Sequence, residues 1–154
     1  MRQVSVAGIR MVEATNEIVL LLADEHRRLP IWIGSPEAAA IALSQQGYIP
    51  ARPLTHDLVL NILQALNAPC ERVEVTSLED GVFYADLVLA TGQRIPCRPS
   101  DAVAVALRAK VPILVAEAVL DAAAVVEEPT TEEVDVDAFR AFLDEVSPED
   151  FGEA

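Results

Sequence analysis

Apolar positions along the chain follow two periods, and the switch from one to the other happens twice in the same order. Short runs of strand length come first: Val4 to Val6 with Ile9 to Met11, then Ile18 to Ala23, then Leu29 to Ile33 with Trp32 half buried. Thr15-Asn16-Glu17 and the polar stretch Asp24 to Arg28 separate them as turns. The period then lengthens to that of a helix running to about Gln46. Ser35 suits its N-cap, Pro36 its first position, Glu37 its first turn and Gly47 its stop. Pro50 and Pro53 bar a helix in the connector that follows. Thr55 then caps a second helix from His56 to about Asn67, with Leu58, Ile62, Leu63 and Leu66 on one face.

The second set of strands is Arg72 to Val75, Val82 to Ala90 and Arg94 to Cys97, broken by Glu79-Asp80-Gly81 and Thr91-Gly92-Gln93. A helix from Asp101 to Ala109 follows and stops at Lys110-Val111-Pro112, before a short strand, Ile113 to Val115. A shift of 64 residues aligns Ile31 with Ile95, Ala38 with Ala102, Ala40 with Ala104, Ala42 with Ala106 and Leu43 with Leu107. Asp101 falls on Glu37, and Arg98 falls on Gly34. An internal repeat of this kind predicts an α+β fold: two β-β-β-α repeats forming one mixed sheet system with packed helices. The repeated alanines predict close helix approach. A last amphipathic helix is expected from Asp135, with Val136, Phe139, Phe142, Leu143 and Val146 on one face. The domain reading is therefore residues 1–121, an acidic linker at 122–134 and an acidic C-terminal helix at 135–154.

Composition adds a core and a location for the charge. Of 154 residues, 52% are hydrophobic, enough for one domain with a sizeable interior. No apolar run reaches about 18 residues, so a membrane span is not expected. With no signal-peptide pattern at the start, the expected location is the cytoplasm. Cys70 and Cys97 are too few for a disulfide framework. The net charge of −14 is uneven: residues 1–116 carry 10 basic and 12 acidic side chains, whereas residues 117–154 carry 13 acidic ones and Arg140 alone. Nine of the ten cations in the body are arginine, the better bidentate partner for a phosphate.

Two clusters carry candidate chemistry. Arg98-Pro99-Ser100-Asp101 places a guanidinium, a hydroxyl and a carboxylate at one helix start, where backbone amides also favour an anion. Read structurally, Ser100 caps that helix and Arg98 pairs with an acid. Arg52, Thr55, His56 and Asp57 form the second cluster, in which His56 is the acid–base candidate. Read structurally, Thr55 caps and His56 is an exposed first-turn residue. Glu37 and Asp101 are candidate ligands for a divalent cation such as Mg or Mn, or first-turn acids stabilised by the helix dipole. Phosphate loops, HxxxH or CxxC sites and nucleophile elbows are absent from the sequence.

The chain resembles the bifunctional nuclease domain family, first known as a bacterial domain of unknown function. The resemblance rests on Leu29 to Gly34 with Glu37-Ala38, on Arg52 to Leu58, on Asp80 to Ala85 and on Arg98 to Ala102. It implies an α+β fold, homo-oligomerisation and the cleavage of RNA and DNA known from plant relatives. Two readings follow. One is a metal-assisted nuclease: His56, Asp57 and Asp101 catalytic, Arg52, Thr55, Arg98 and Ser100 on the substrate, and Glu37 and Asp101 on the metal. The other is a non-catalytic homo-oligomeric module that binds a small anion or a partner protein.

Overall fold

The alternation read along the chain produces long antiparallel strands, and the small residues produce a helix buried on nearly every side. The computed structural model describes residues 1–126. The elements in order are β1 (Arg2–Val12), β2 (Glu17–Ala23), β3 (Arg27–Ile33), α1 (Ser35–Gln45), α2 (Thr55–Ala65), β4 (Cys70–Glu79), β5 (Val82–Leu89), β6 (Arg94–Cys97), α3 (Pro99–Ala109), β7 (Ile113–Val115), α4 (Glu117–Ala123) and β8 (Val125–Val126). The expected C-terminal helix and all but the first residues of the expected linker lie outside the described residues. No helix among the described residues is long and apolar enough to cross a membrane.

All eight strands form one mixed sheet, in the order β6-β5-β4-β7-β1-β2-β3-β8. It is built from two antiparallel meanders, β1-β2-β3 and β4-β5-β6. The short strand β7 joins them, since Ile113 pairs with Val4 of β1 antiparallel and with Val73 of β4 parallel. The β4–β5 hairpin turns on Asp80 and Gly81, both at positive φ, 51° and 79°. That geometry matches the right-handed twist of the flanking strands, and a short Asp tolerates it. Helix α4 and strand β8 were not expected from the sequence. Val119 and Leu120 of α4 are buried where α4 meets β3 and β4, and β8 extends the sheet beyond β3.

Helix α3 is the centre of the packing. Pro99, Ser100 and Ala102 through Ala106 are all buried, against α1, α2, β4 and β5. Leu20, Leu22, Leu29, Ile41, Val73, Val75 and Val115 complete the same core. A helix covered on so many sides has no solvent face to hold long side chains, which explains its Ala and Val content. Arg108 in its last turn reaches out of the core: it donates to Asp57 of α2 at 3.0 Å and to the carbonyl of Ala40 in α1 at 3.1 Å. One guanidinium thus ties three helices.

Helix α2 packs only partly. Val59, Leu60 and Leu63 lie on the core, but Leu58, Ile62 and Leu66 are 52%, 49% and 70% exposed. The apolar face expected for α2 is therefore split between core and surface. The caps also differ from expectation. Gly34, Leu54 and Arg98 hold the N-cap positions, so Ser35, Thr55 and Ser100 lie inside their helices and cap nothing. For α2 the capping acceptor is instead the Asp57 carboxylate, which takes the Leu54 N–H at 2.9 Å.

Buried charge is handled by pairing. Glu74, only 3% exposed on β4, accepts from Arg72 at 2.9 Å and from Arg94 at 3.1 Å. Burial pushes its pKa up, but hydrogen bonds from Arg94 and then Arg72 outweigh it and leave the group below its ordinary value.

The tight seat of α3 yields a prediction. Ala104 is fully buried, and α3 packs against both α1 and α2. Replacing Ala104 with Leu forces extra methylenes into closed space and should destabilise the protein by about 1–3 kcal/mol. Urea unfolding checks this, and an unchanged midpoint would remove the close-packing account.

Candidate functional site

The N-termini of α1 and α3 come together because those helices pack side by side, and this brings the acids of the two helix starts to one cation. Arg98, the N-cap residue of α3, donates from Nε to Asp101 Oδ2 at 2.8 Å and from Nη2 to Asp101 Oδ1 at 3.1 Å. Its Nη1 donates to Glu37 Oε1 in the first turn of α1 at 2.8 Å. The first turn of α2 supplies the fourth member: His56 Nε2 lies 3.1 Å from Asp101 Oδ1. The two clusters separated by more than forty residues of sequence are therefore one constellation, His56–Asp101–Arg98–Glu37.

Each side chain has a definite environment. His56 is 14% exposed and Glu37 16%, whereas Asp101 is 30% and Arg98 64% exposed. His56 is thus held against α3, not exposed at the surface. Burial raises the Asp101 carboxyl, but hydrogen bonds from Arg98 and then His56 outweigh that and keep it below its ordinary value. The same bonds to Asp101 and Glu37 push the Arg98 pKa further up, so its charge is permanent. Next to the site, burial, then the Asp101 and Asp86 charges, push the Cys97 thiol up to about 12, so it is a poor nucleophile.

Glu37 reaches Arg98 by folding back over its own helix start. A Cβ on Gly34 would collide with the Glu37 carboxylate, so the absence of a side chain there makes the contact possible. Beside the constellation, Ile31, Trp32, Phe83, Glu37, Arg98 and Ser100 line a cavity of about 300 Å³. A larger open depression of about 1120 Å³ lies elsewhere, near Met1 to Ser5 and Ala23 to Arg27. Its Arg27 is paired with Asp24 and Glu117, and it contains none of the four residues of the constellation.

The residues read from the sequence divide clearly. His56, Asp101, Arg98 and Glu37 meet. Ser100 lies on the adjoining cavity. Asp57 points elsewhere: one oxygen takes the Leu54 N–H and the other takes Arg108 Nε, which makes it a helix-end residue. The side chains of Arg52 and Thr55 are exposed and make no hydrogen bond or ion pair with the described residues. Sequence reasoning missed Trp32 as a site residue; it is 59% exposed, where half burial was expected. It also missed Arg108, whose only signal was a cation in the last turn of an otherwise apolar helix.

A divalent cation does not fit this arrangement. Both oxygens of Asp101 and Oε1 of Glu37 already accept hydrogen bonds from Arg98 or His56. Among the described residues no group of three or more His, Cys, Asp or Glu side chains converges as a metal site. The guanidinium occupies the place between the carboxylates that a metal would take.

Residues 18–128 match the bifunctional nuclease domain, and the chain belongs to that family. Two uncharacterized proteins of Mycobacterium tuberculosis, one from strain CDC 1551 / Oshkosh and one from strain ATCC 25618 / H37Rv, are each 50% identical over 161 residues. The match covers 98% of this chain and 98% of each relative.

Two outcomes test this geometry. The Asp101 carboxyl sits below its ordinary 3.8 in the folded protein, so its contribution is present above that pH and is lost as pH falls through the folded value. Asp101→Asn should cost about 1 kcal/mol near neutral pH, and the gap to wild type should narrow as the pH falls below 3.8. Urea midpoints across that range measure it. Gly34 has an ordinary φ of −82°, and an added Cβ there meets only the end of the Glu37 side chain. Gly34→Ala should therefore keep stability within about 0.5 kcal/mol. It should match Glu37→Gln in any assay of the cluster; a much larger loss of stability would show that the backbone needs Gly34.

Proposed function

We propose that the chain is a nucleic-acid phosphodiesterase whose reacting group is His56. The observation that carries this reading is the contact of His56 Nε2 with Asp101 Oδ1 at 3.1 Å, next to an exposed guanidinium. A carboxylate on Nε2 selects the tautomer with the proton on that nitrogen and leaves Nδ1 as an acceptor, the orienting role an acid plays for a catalytic imidazole. Nδ1 takes the proton of the attacking hydroxyl, from water or from an RNA 2′-OH. The new P–O bond forms as the bond to the leaving oxygen breaks, and the imidazolium returns its proton to that oxygen. Arg98 has five N–H groups and uses three on Asp101 and Glu37, so two remain for the phosphate oxygens. Membership in the bifunctional nuclease domain family supports the same substrate class, RNA or DNA.

The cation of this reaction is Arg98. A Mg or Mn ion, expected from the sequence, would have to displace it from both acids. Cleavage of a short single-stranded RNA and of DNA should therefore persist in EDTA. His56→Ala and Asp101→Asn should each slow it by at least about 100-fold. Cleavage abolished by EDTA, or a His56→Ala protein that cuts like wild type, would overturn the assignment.

A second reading has its own support. The oxygens of Asp101 are fully paired, which is also the pattern of a structural ion cluster, and α2 presents Leu58, Ile62 and Leu66 to the surface. In that reading the chain is a non-catalytic module that assembles with copies of itself through α2 and binds a small anion. Absence of cleavage under all conditions, together with a mass in solution above that of one chain, would favour it. Replacing Ile62 with Glu should then reduce that mass.

A further inference from the structure

We propose that the cavity between β3, the β4–β5 turn and the start of α3 binds one nucleotide unit with an unpaired base, its base stacked on Trp32 and its phosphate on Ser100 and Arg98. The proposal deepens the phosphodiesterase reading by making the substrate single-stranded; it shares Arg98 with that reading and adds Ser100 and Trp32.

Three observations converge on the cavity. Ser100 is 94% buried on the scale in which it is 6% exposed, yet its hydroxyl makes no hydrogen bond to the described residues, and it lines this space. The Ser100 oxygen is not among the buried side-chain atoms left without a partner, so it opens onto the cavity, where a ligand oxygen can hydrogen-bond it. Ser100 also lies in the first turn of the eleven-residue helix α3, where unpaired backbone N–H groups and the helix dipole favour an anion. Arg98 adds its two free N–H donors at the rim.

The other wall is aromatic. Trp32 stands 59% exposed on β3, and its indole N–H is tethered to Glu17 Oε2 at 3.3 Å, which fixes the direction of the ring. Phe83 also lines the cavity. An exposed indole held in place beside an anion site suits a base, because every base has a face to stack and stacking needs no particular sequence. A base within a duplex is already stacked on both sides and cannot use it. The volume of about 300 Å³ is at the lower end for a small-molecule site and fits one nucleotide, not a folded oligonucleotide.

Glu37 completes the selectivity. Its Oε1 is bound to Arg98, but Oε2 makes no hydrogen bond to the described residues, so it is an acceptor on a residue that lines the cavity. An acceptor there suits a ribose hydroxyl or an exocyclic amine and repels a second phosphate. The site therefore takes a monophosphate in preference to a diphosphate.

Trp32 is the sole tryptophan of the chain; it also borders a second depression beside Asn16 and Glu17, so the Arg98 and Ser100 variants below tell the two apart. Adenosine 5′-monophosphate should quench it saturably, adenosine or inorganic phosphate at least about tenfold more weakly, and adenosine 5′-diphosphate more weakly than the monophosphate. Arg98→Ala and Ser100→Ala should each weaken the monophosphate about tenfold. Ser100→Ala should melt no lower than wild type, because its hydroxyl has no protein partner to lose. Quenching without cleavage would sink the phosphodiesterase reading and leave this site standing. No saturable quenching up to millimolar monophosphate, or equal quenching in the Arg98 and Ser100 variants, would overturn the site whether or not the protein cuts RNA.

Discussion

The constraint on which the rest depends is the burial of α3. A helix that touches α1, α2 and two strands can carry only small or β-branched apolar residues along most of its length. Polar function is then forced to its ends. At the C-terminal end Arg108 leaves the core and fastens α1 and α2, its positive charge also suiting the negative helix end. At the N-terminal end the first residues with room for charge are Arg98 and Asp101, which lie where the neighbouring helices begin. The location of the constellation is thus a consequence of packing, before any argument about chemistry.

Stability alone does not account for that constellation. Arg98 is well exposed, and ion pairs of exposed groups are worth about 0–1 kcal/mol because water screens them and long side chains lose freedom. Glu74 offers the contrast within the same molecule. It is almost fully buried on the sheet and paired with both Arg72 and Arg94, and removal of both would leave its charge stranded in the protein. The sheet cluster belongs to the fold. The helix-start cluster uses one permanent cation, two acids and one imidazole where a modest surface gain is all that folding could obtain, and that excess is the physical ground for reading it as a site.

The strands and the two eleven-residue helices that start 64 positions apart were legible in the sequence, because alternation, turn residues and the spacing of Ile95, Ala102 and Leu107 against their counterparts each act locally. Three things were not legible, for separate reasons. Helix starts slipped by one or two residues because Gly34, Leu54 and Arg98 take the cap position by backbone geometry while the hydroxyl residues fall inside. Trp32 was expected to be half buried, and only the sheet's edge-ward position of β3 leaves it more open than that. The meeting of His56 with Asp101 depends on how α2 crosses α3, and no periodicity in either helix encodes a contact across forty-five residues of chain.

The two helix starts also explain why there is one site and not two. Position for position, α1 has Gly34 and Glu37 where α3 has Arg98 and Asp101. Had both N-caps been arginine, each acid would have kept its own cation and the two starts would have stood as separate, self-satisfied pairs. Had both been glycine, two carboxylates would face each other without a cation, and one would have to take a proton or be pushed away. With one of each, Gly34 lets Glu37 fold back and Arg98 reaches across to it while still holding Asp101. Three of the five guanidinium N–H groups are committed, His56 is drawn to the remaining lone pairs of Asp101, and two donors are left pointing outward. Two helix starts thereby become chemically asymmetric through a difference at the cap, and the asymmetry makes them one place where an anion can be held.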